Sequence, residues 1–202
     1  DNEVPDEWRV RLFRLIFDTS NLDWLILTKR IGMVARYLER DEIAKIVFKS
    51  GHARLGITVV NQDEADRDIP KLLSVDAASR FLSIEPMLGP VSIFGKWHLI
   101  KVKRFGSAPI DWVIVGGETG PSARPMNPDW ARIVRDQCGA VGVPFFFKQW
   151  GEFSPNWYND NDGKKIEGSE WIDRSGRRKA GRSLDGVEHN EFPPSKVSKC
   201  LY

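Results

Sequence analysis

Residues 110–120 read Ile110-Asp-Trp-Val-Ile-Val-Gly-Gly-Glu-Thr-Gly120, a short apolar run that stops abruptly in glycines and a carboxylate. Five apolar or β-branched residues bounded by turn formers are too few for a helix and right for a strand. A similar run, Leu22-Asp-Trp-Leu-Ile-Leu27, lies near the start, and the resemblance between the two is a weak internal echo. Working outward, further runs occupy Leu55–Val59, Arg80–Ile84 and Pro144–Lys148, so strands are predicted at Trp24–Thr28, Leu55–Val59, Arg80–Ile84, Trp112–Val115 and Pro144–Lys148. None alternates cleanly between polar and apolar residues, which suits strands covered on both faces of a parallel sheet. Helical patterns fall between them. One opens at Val4-Pro-Asp-Glu7, a second spans Gly32–Arg40, a third covers 63–74, and a fourth begins at Pro128 with Asn127 as its cap and Gly139 or Gly142 as its end.

Strand starts at 24, 55, 80, 112 and 144 are separated by 31, 25, 32 and 32 residues, the size of a βα unit. The prediction is an α/β domain of parallel βα units over residues 1–150, forming part of a TIM-like (β/α) barrel. Five strands do not close such a barrel, so residues 1–202 are expected to make an incomplete domain without independent catalysis. Residues 89–110 fit no helix and read as an insertion, a short hairpin carrying Lys96, Lys101, Lys103 and Arg104. Residues 151–202 form an irregular, hairpin-bearing extension, in which Trp171–Arg178 reads as a hairpin turning at Ser-Gly and the last ten residues as frayed.

The 202 residues include 30 basic and 28 acidic side chains, a net charge of +2 that does not mark a nucleic-acid protein by itself. Two cysteines, Cys138 and Cys200, exclude a disulfide framework and any site of three or four thiolates. No apolar run approaches the ~20 residues that span a bilayer, and residues 1–20 are no signal peptide. His52, His98 and His189 end no strand and read as surface or loop residues, so no metal site is predicted. Cys138 reads as core.

Ligands of parallel α/β sheets bind at the carboxyl ends of the strands, where the loops gather. All five runs end in polar groups. Thr28 and Lys29 follow the first and Asn61 the second. Ser83 and Glu85 close the third, Gly116, Gly117 and Glu118 the fourth, and Lys148 and Gln149 the fifth. Arg124 lies in the loop beyond Glu118, where it could clamp a carboxylate or phosphate. Candidate catalytic residues are Glu85, Glu118 and Lys148; Thr28, Lys29, Asn61, Ser83, Gly116, Gly117, Arg124 and Gln149 are candidates for binding substrate or cofactor. Some have a plainer reading: Glu85 could cap a helix or pair with Lys29, the glycines could only make a tight turn, and Arg124 could be a solvated loop residue, whereas Lys148 and Gln149 close a strongly apolar strand, where a charge is less easily dismissed. Glu85 and Glu118 could also form a carboxylate pair. The run Arg174, Arg177, Arg178, Lys179, Arg182 is either a nucleic-acid grip beside Trp171 or a solvated face.

Several of these segments occur together in one family. They are Leu27-Thr-Lys-Arg30, Leu55-Gly-Ile-Thr-Val-Val-Asn-Gln62, Arg67-Asp-Ile-Pro70, Phe81-Leu-Ser-Ile-Glu-Pro-Met-Leu-Gly-Pro90, Trp112–Gly120, Ala123-Arg-Pro-Met126 and Val143-Pro-Phe-Phe-Phe-Lys-Gln-Trp-Gly151. Ala180-Gly-Arg182, Leu184-Asp-Gly186 and Glu191-Phe-Pro193 follow. From about residue 4 to about 193 the chain resembles the phage Gp thirty-seven/Gp sixty-eight family. The resemblance implies a phage or prophage protein of the cytoplasm, with no membrane partner. It also implies radical-SAM-like chemistry on nucleic acid or nucleotide, using S-adenosylmethionine and a [4Fe–4S] cluster. The alternative is a non-catalytic nucleic-acid-binding phage protein. Gly116-Gly117-Glu118 resembles the triplet that holds the methionine amino group in radical-SAM enzymes. Two departures stand out. The family's three-cysteine segment is not present in this sequence, so this chain alone is expected to hold no cofactor, and Val60 stands where the family has Glu.

Overall fold

A computed structural model describes residues 4–93, 110–156 and 171–194. Helix α1 (Asp6–Asp18) leads to β1 (Trp24–Thr28), then α2 (Ile31–Leu38), α3 (Glu42–Ser50), β2 (Ala53–Thr58), α4 (Gln62–Ser74) and β3 (Arg80–Ile84). Beyond residues 94–109, which lie outside the described residues, come β4 (Trp112–Gly116), α5 (Pro128–Val141) and β5 (Phe145–Gln149). The five strands form one parallel sheet in the order β1-β2-β3-β4-β5. The sheet is open, and no barrel closes among the described residues.

Stepping through a sheet in one direction with right-handed crossovers puts the connecting helices on one face. The core agrees. Leu55, Ile57, Leu82, Ile84, Val113, Val115, Phe145 and Phe147 share a face by register and pack with Ile16, Phe48, Leu72, Val134 and Cys138 of the helices. Caps set the helix ends. Asn127 accepts from Asp129 N–H at the start of α5, with Pro128 at the first position, and Gly142 ends it at φ 68°. Helix α3 is missing from the sequence reading, although its signals are ordinary: Asp41 caps it through Ala44 N–H, and Gly51 ends it at φ 88°.

The opposite face carries a second cluster. Phe81 lies over Gly56, where a Cβ would come within 2.3 Å of the ring. Trp112 sits 6.1 Å from Phe81 and 5.9 Å from Phe146, and Phe192 caps both Trp112 and Phe146 at 5.0 and 5.2 Å. The segment that brings Phe192 runs along the free edge of β5, with Phe147 N–H donating to His189 O and Glu191 N–H to Phe145 O. It then crosses the sheet, where Trp112 Nε1 donates to Glu191 O and the buried Arg54 guanidinium to Pro194 O, both at 2.8 Å. Residues 193 and 194 are therefore anchored rather than frayed; 195–202 lie outside the described residues.

The extension also departs from its expected pairing. Trp171–Arg178 does not fold on itself. Strand β7 (Trp171–Arg174) pairs antiparallel with β6 (Phe153–Asn156), and residues Arg177–Ala180 form a short helix, α6. A second hairpin joins β8 (Ser183–Leu184) to β9 (Val187–Glu188) through Asp185-Gly186, both at positive φ as a two-residue hairpin turn requires. Asp185 also receives Arg132 and Arg135 from α5, which hold its carboxyl below the usual range and tie the hairpin to that helix. The hairpin expected at 89–110 falls largely on residues outside those described.

His52 corrects another expectation. It is buried, its Nδ1 lies 2.6 Å from Ser50 Oγ and its Nε2 3.1 Å from Ile16 O, so it links α1 to the approach of β2. His189 is partly buried against the Phe145 ring, and His98 lies outside the described residues. No helix of the described residues is long and apolar enough to cross a membrane.

Candidate functional site

Strands β3, β4 and β5 bring their carboxyl ends together, and Glu85 stands at the centre. Its Oε2 accepts from Lys148 Nζ at 2.9 Å, and its Oε1 accepts from Gln149 Nε2 at 3.2 Å. Consecutive residues of a regular strand point to opposite faces. Here the ladder slips: Val115 pairs with Phe147 but Gly116 pairs with Gln149, leaving Lys148 as an extra residue. This bulge lets Lys148 and Gln149 converge on one carboxylate. Gly116 makes room for it, since a Cβ there would lie 2.9 Å from Glu85 Oε1. The Lys148 side chain is about half exposed (48%), whereas Glu85 is 19% exposed, so the ammonium faces solvent while the carboxylate is sheltered. Glu85 thus takes Lys148, across 63 residues, rather than Lys29.

Gln149 is buried, and both ends of its amide are used. Nε2 donates to Glu85, and Oε1 accepts from Arg177 Nε of α6 at 2.8 Å. Ser83 and Thr58 are register partners in β3 and β2, both buried, on the same face of the sheet as Gly116.

Glu118 belongs to a different arrangement. Its carboxylate accepts from Arg124 Nε and Nη2 and from Arg124 N–H, all at 2.8 Å. The guanidinium, followed by the backbone N–H, holds the Glu118 carboxyl down to about 2. This bidentate clasp closes the loop after β4. The loop is pinned from outside as well. Gly120 N–H donates to Glu152 Oε1, Glu152 N–H donates to Glu118 O, and Arg174 donates to Gly120 O and Pro121 O. Glu152 is absent from the sequence-derived candidates. Its signal was the adjacent Gly151, which at φ 87° turns the chain against Glu118 O, leaving no room for a Cβ. No contact joins Glu85 to Glu118; each carboxylate is neutralised by its own cation.

Other candidates serve the scaffold. Asn61 caps α4 through Glu64 N–H at 3.0 Å. Thr28 Oγ1 accepts from Arg30 N–H at 2.9 Å, at the entry to α2. Lys29 is exposed, and no contact connects Thr28 or Lys29 to Glu85. The basic run is largely engaged. Arg174 holds the β4 loop, Arg177 holds Gln149, and Arg182 bonds Asn190 and lies 5.2 Å over the Phe146 ring. Arg178 and Lys179 are exposed, and no described residue bonds to their side chains.

The groups of the glycine triplet are likewise occupied. Gly116 O accepts from Met87 N–H, Gly117 N–H donates to Gln149 O, and Gly117 packs so closely on Trp150 O that a Cβ would lie 1.8 Å from it. With the Glu118 carboxylate taken by Arg124, this triplet does not fit the task of holding an amino group. Cys138 does not fit a cluster. It is buried in the helix-face core, and burial, with the Glu191 charge, pushes its thiol up to about 12. Among the described residues no group of three or more His, Cys, Asp or Glu could hold a metal ion.

A family model described as "Protein of unknown function (DUF5131)" matches residues 1–193, and the chain belongs to that family. No curated protein and no solved structure matches it.

Proposed function

We propose that this family member supplies the substrate-binding wall of a (β/α)-barrel enzyme that acts on nucleic acid or nucleotide. The chemistry would be the radical-SAM-like kind implied by the resemblance to the phage Gp thirty-seven/Gp sixty-eight family. The observation that carries the reading is the Glu85–Lys148–Gln149–Arg177 cluster. A bulge gathers it at the carboxyl ends of three parallel strands, the position at which such sheets bind ligands. Lys148 offers a half-exposed cation to a phosphate, and Glu85 offers a sheltered acceptor to a donor on the base or sugar.

The exposed apolar side chains Leu25 and Leu27 of β1 support the barrel. Its outer edge pairs with no strand among the described residues, and register puts both side chains on the face opposite the helices, which closure into a barrel would enclose. A [4Fe–4S] cluster and S-adenosylmethionine would supply radical chemistry when bound; the thiolates and amino-group contacts they need would come from outside the described residues. The alternative, a purely nucleic-acid-binding protein gripping through residues 174–182, has less support, because Arg174, Arg177 and Arg182 are spent on internal bonds.

The test is fluorescence anisotropy with a labelled single-stranded oligonucleotide and nucleotide competitors, beside an anaerobic assay for S-adenosylmethionine cleavage by the gene product containing this sequence. Binding that weakens about tenfold in Lys148→Met and falls in Glu85→Gln, together with cleavage, is the expected result. A folded protein that binds neither oligonucleotide nor nucleotide would overturn the substrate class, and one that never cleaves S-adenosylmethionine would overturn the reaction class.

A further inference from the structure

The geometry points to Arg177, in the C-terminal extension, as a positioning residue that sets the Glu85 carboxylate through Gln149. A side-chain amide can turn over, exchanging its oxygen and nitrogen. Gln149 has a donor on one side and an acceptor on the other: Arg177 Nε at 2.8 Å from its oxygen and Glu85 Oε1 at 3.2 Å from its nitrogen. Turned over, the amide would set NH₂ against the guanidinium and oxygen against the carboxylate, two repulsions in place of two bonds. Arg177 therefore dictates that the amide presents N–H to Glu85. Gln149 is buried, so water does not compete freely for either end. Glu85 is then held at one oxygen by a fixed amide and at the other by the half-exposed Lys148, and only the second contact is open to exchange with a ligand.

The extension is braced for this task. Glu152 O accepts from both Ser175 N–H and Gly176 N–H, and Arg174 fastens the same stretch to the β4 loop. Arg177 follows Gly176 at the first position of α6, so its backbone is fixed by bonds on its N-terminal side. On this account the arginine expected to grip nucleic acid directly acts instead one bond removed from the ligand. The assignment rests on the substrate-site reading above, but its structural half can be tested without any ligand.

The chain has three glutamines, Gln62, Gln137 and Gln149, so ¹⁵N-glutamine labelling yields three side-chain amide pairs, with Gln149→Met assigning the one of interest. Arg177→Met is expected to move the Gln149 pair and to weaken oligonucleotide binding about tenfold, about 1.4 kcal/mol. Arg177→Lys, which keeps a donor, restores part of both, and Arg178→Met leaves the Gln149 pair in place. If the Gln149 pair stays at its wild-type position in Arg177→Met, the inference is overturned. If the pair moves but the wild-type protein binds no oligonucleotide or nucleotide, the positioning role stands and the substrate reading falls. Arg177 is exposed, so these variants are expected to fold.

Discussion

Glu85 and Glu118 each follow a strand of the same sheet, and each meets a cation, yet the two pairs do different work. Glu118 closes on Arg124, six residues away, through a fork that spends the guanidinium and a backbone N–H on one carboxylate. That pair is local, complete and turned toward shaping a loop. Glu85 meets Lys148 across 63 residues of chain, with one contact per oxygen and a half-exposed ammonium. A pair that satisfies itself locally has little left for a ligand. One assembled by the sheet, with its cation toward solvent, has a contact it can trade.

The sharpest way to break this contrast is at the backbone both arrangements share. Gly117→Ala would drive a Cβ to 1.8 Å from Trp150 O, a clash against main chain that no rotamer relieves. The expected cost is about 3 kcal/mol or more, read from urea unfolding, with the Glu118 loop and the Gln149 strand loosening together. A stable Gly117→Ala protein would show that the two sites do not depend on this packing.

Next in size is the functional asymmetry. Lys148→Met is expected to lower oligonucleotide affinity about tenfold, about 1.4 kcal/mol, whereas Arg124→Met changes it much less. Equal losses in the two variants would erase the distinction between the pairs.

A smaller effect tests the Glu118 clasp through pH. The Glu118 carboxyl is held at about 2 in the folded protein against an ordinary value of 4.5. A folded-state value below the unfolded one stabilises at pH above the unfolded value, and that contribution is lost as pH falls from 4.5 through about 2. Glu118→Gln should therefore be less stable than wild type at pH 7, the gap narrowing over that window. Urea midpoints of both proteins at pH 7 and at pH 2.5 measure it, and a gap that is constant with pH would contradict the clasp. Smallest of all, Arg178→Ala should leave stability within about 0.5 kcal/mol, because no described residue bonds to its side chain. If that side chain touches nucleic acid phosphate, the salt slope of binding falls by about one.

Much of the scaffold was legible before any coordinates. Trp24–Thr28 and Arg80–Ile84 match their predicted spans, and the others shift by one or two residues because strand ends are set by pairing rather than composition. Asn127-Pro128 marked α5 because a cap and a first-turn proline act locally. The Asp185-Gly186 turn was equally local and readable, but it served only as part of a family motif. Trp171–Arg178 misled because Ser-Gly suits a hairpin turn, while the partner strand, Phe153–Asn156, lies across an intervening segment. Of the candidate site, Glu85, Lys148, Gln149 and Arg177 were each visible, but not as one cluster. Lys148 and Gln149 are adjacent, and on a regular strand they would face opposite ways.

Sequence alone therefore determined the parallel βα alternation, the end of each strand where polar groups collect, and the cap of α5, since each depends on residues within a few positions of one another. The tertiary structure decided which carboxylate closes on its own loop and which joins β5. It also decided that a bulge would turn two neighbours onto Glu85 and that an arginine of the extension would orient Gln149. Those outcomes depend on register between strands and on contacts 28 to 64 residues apart, which no local pattern encodes.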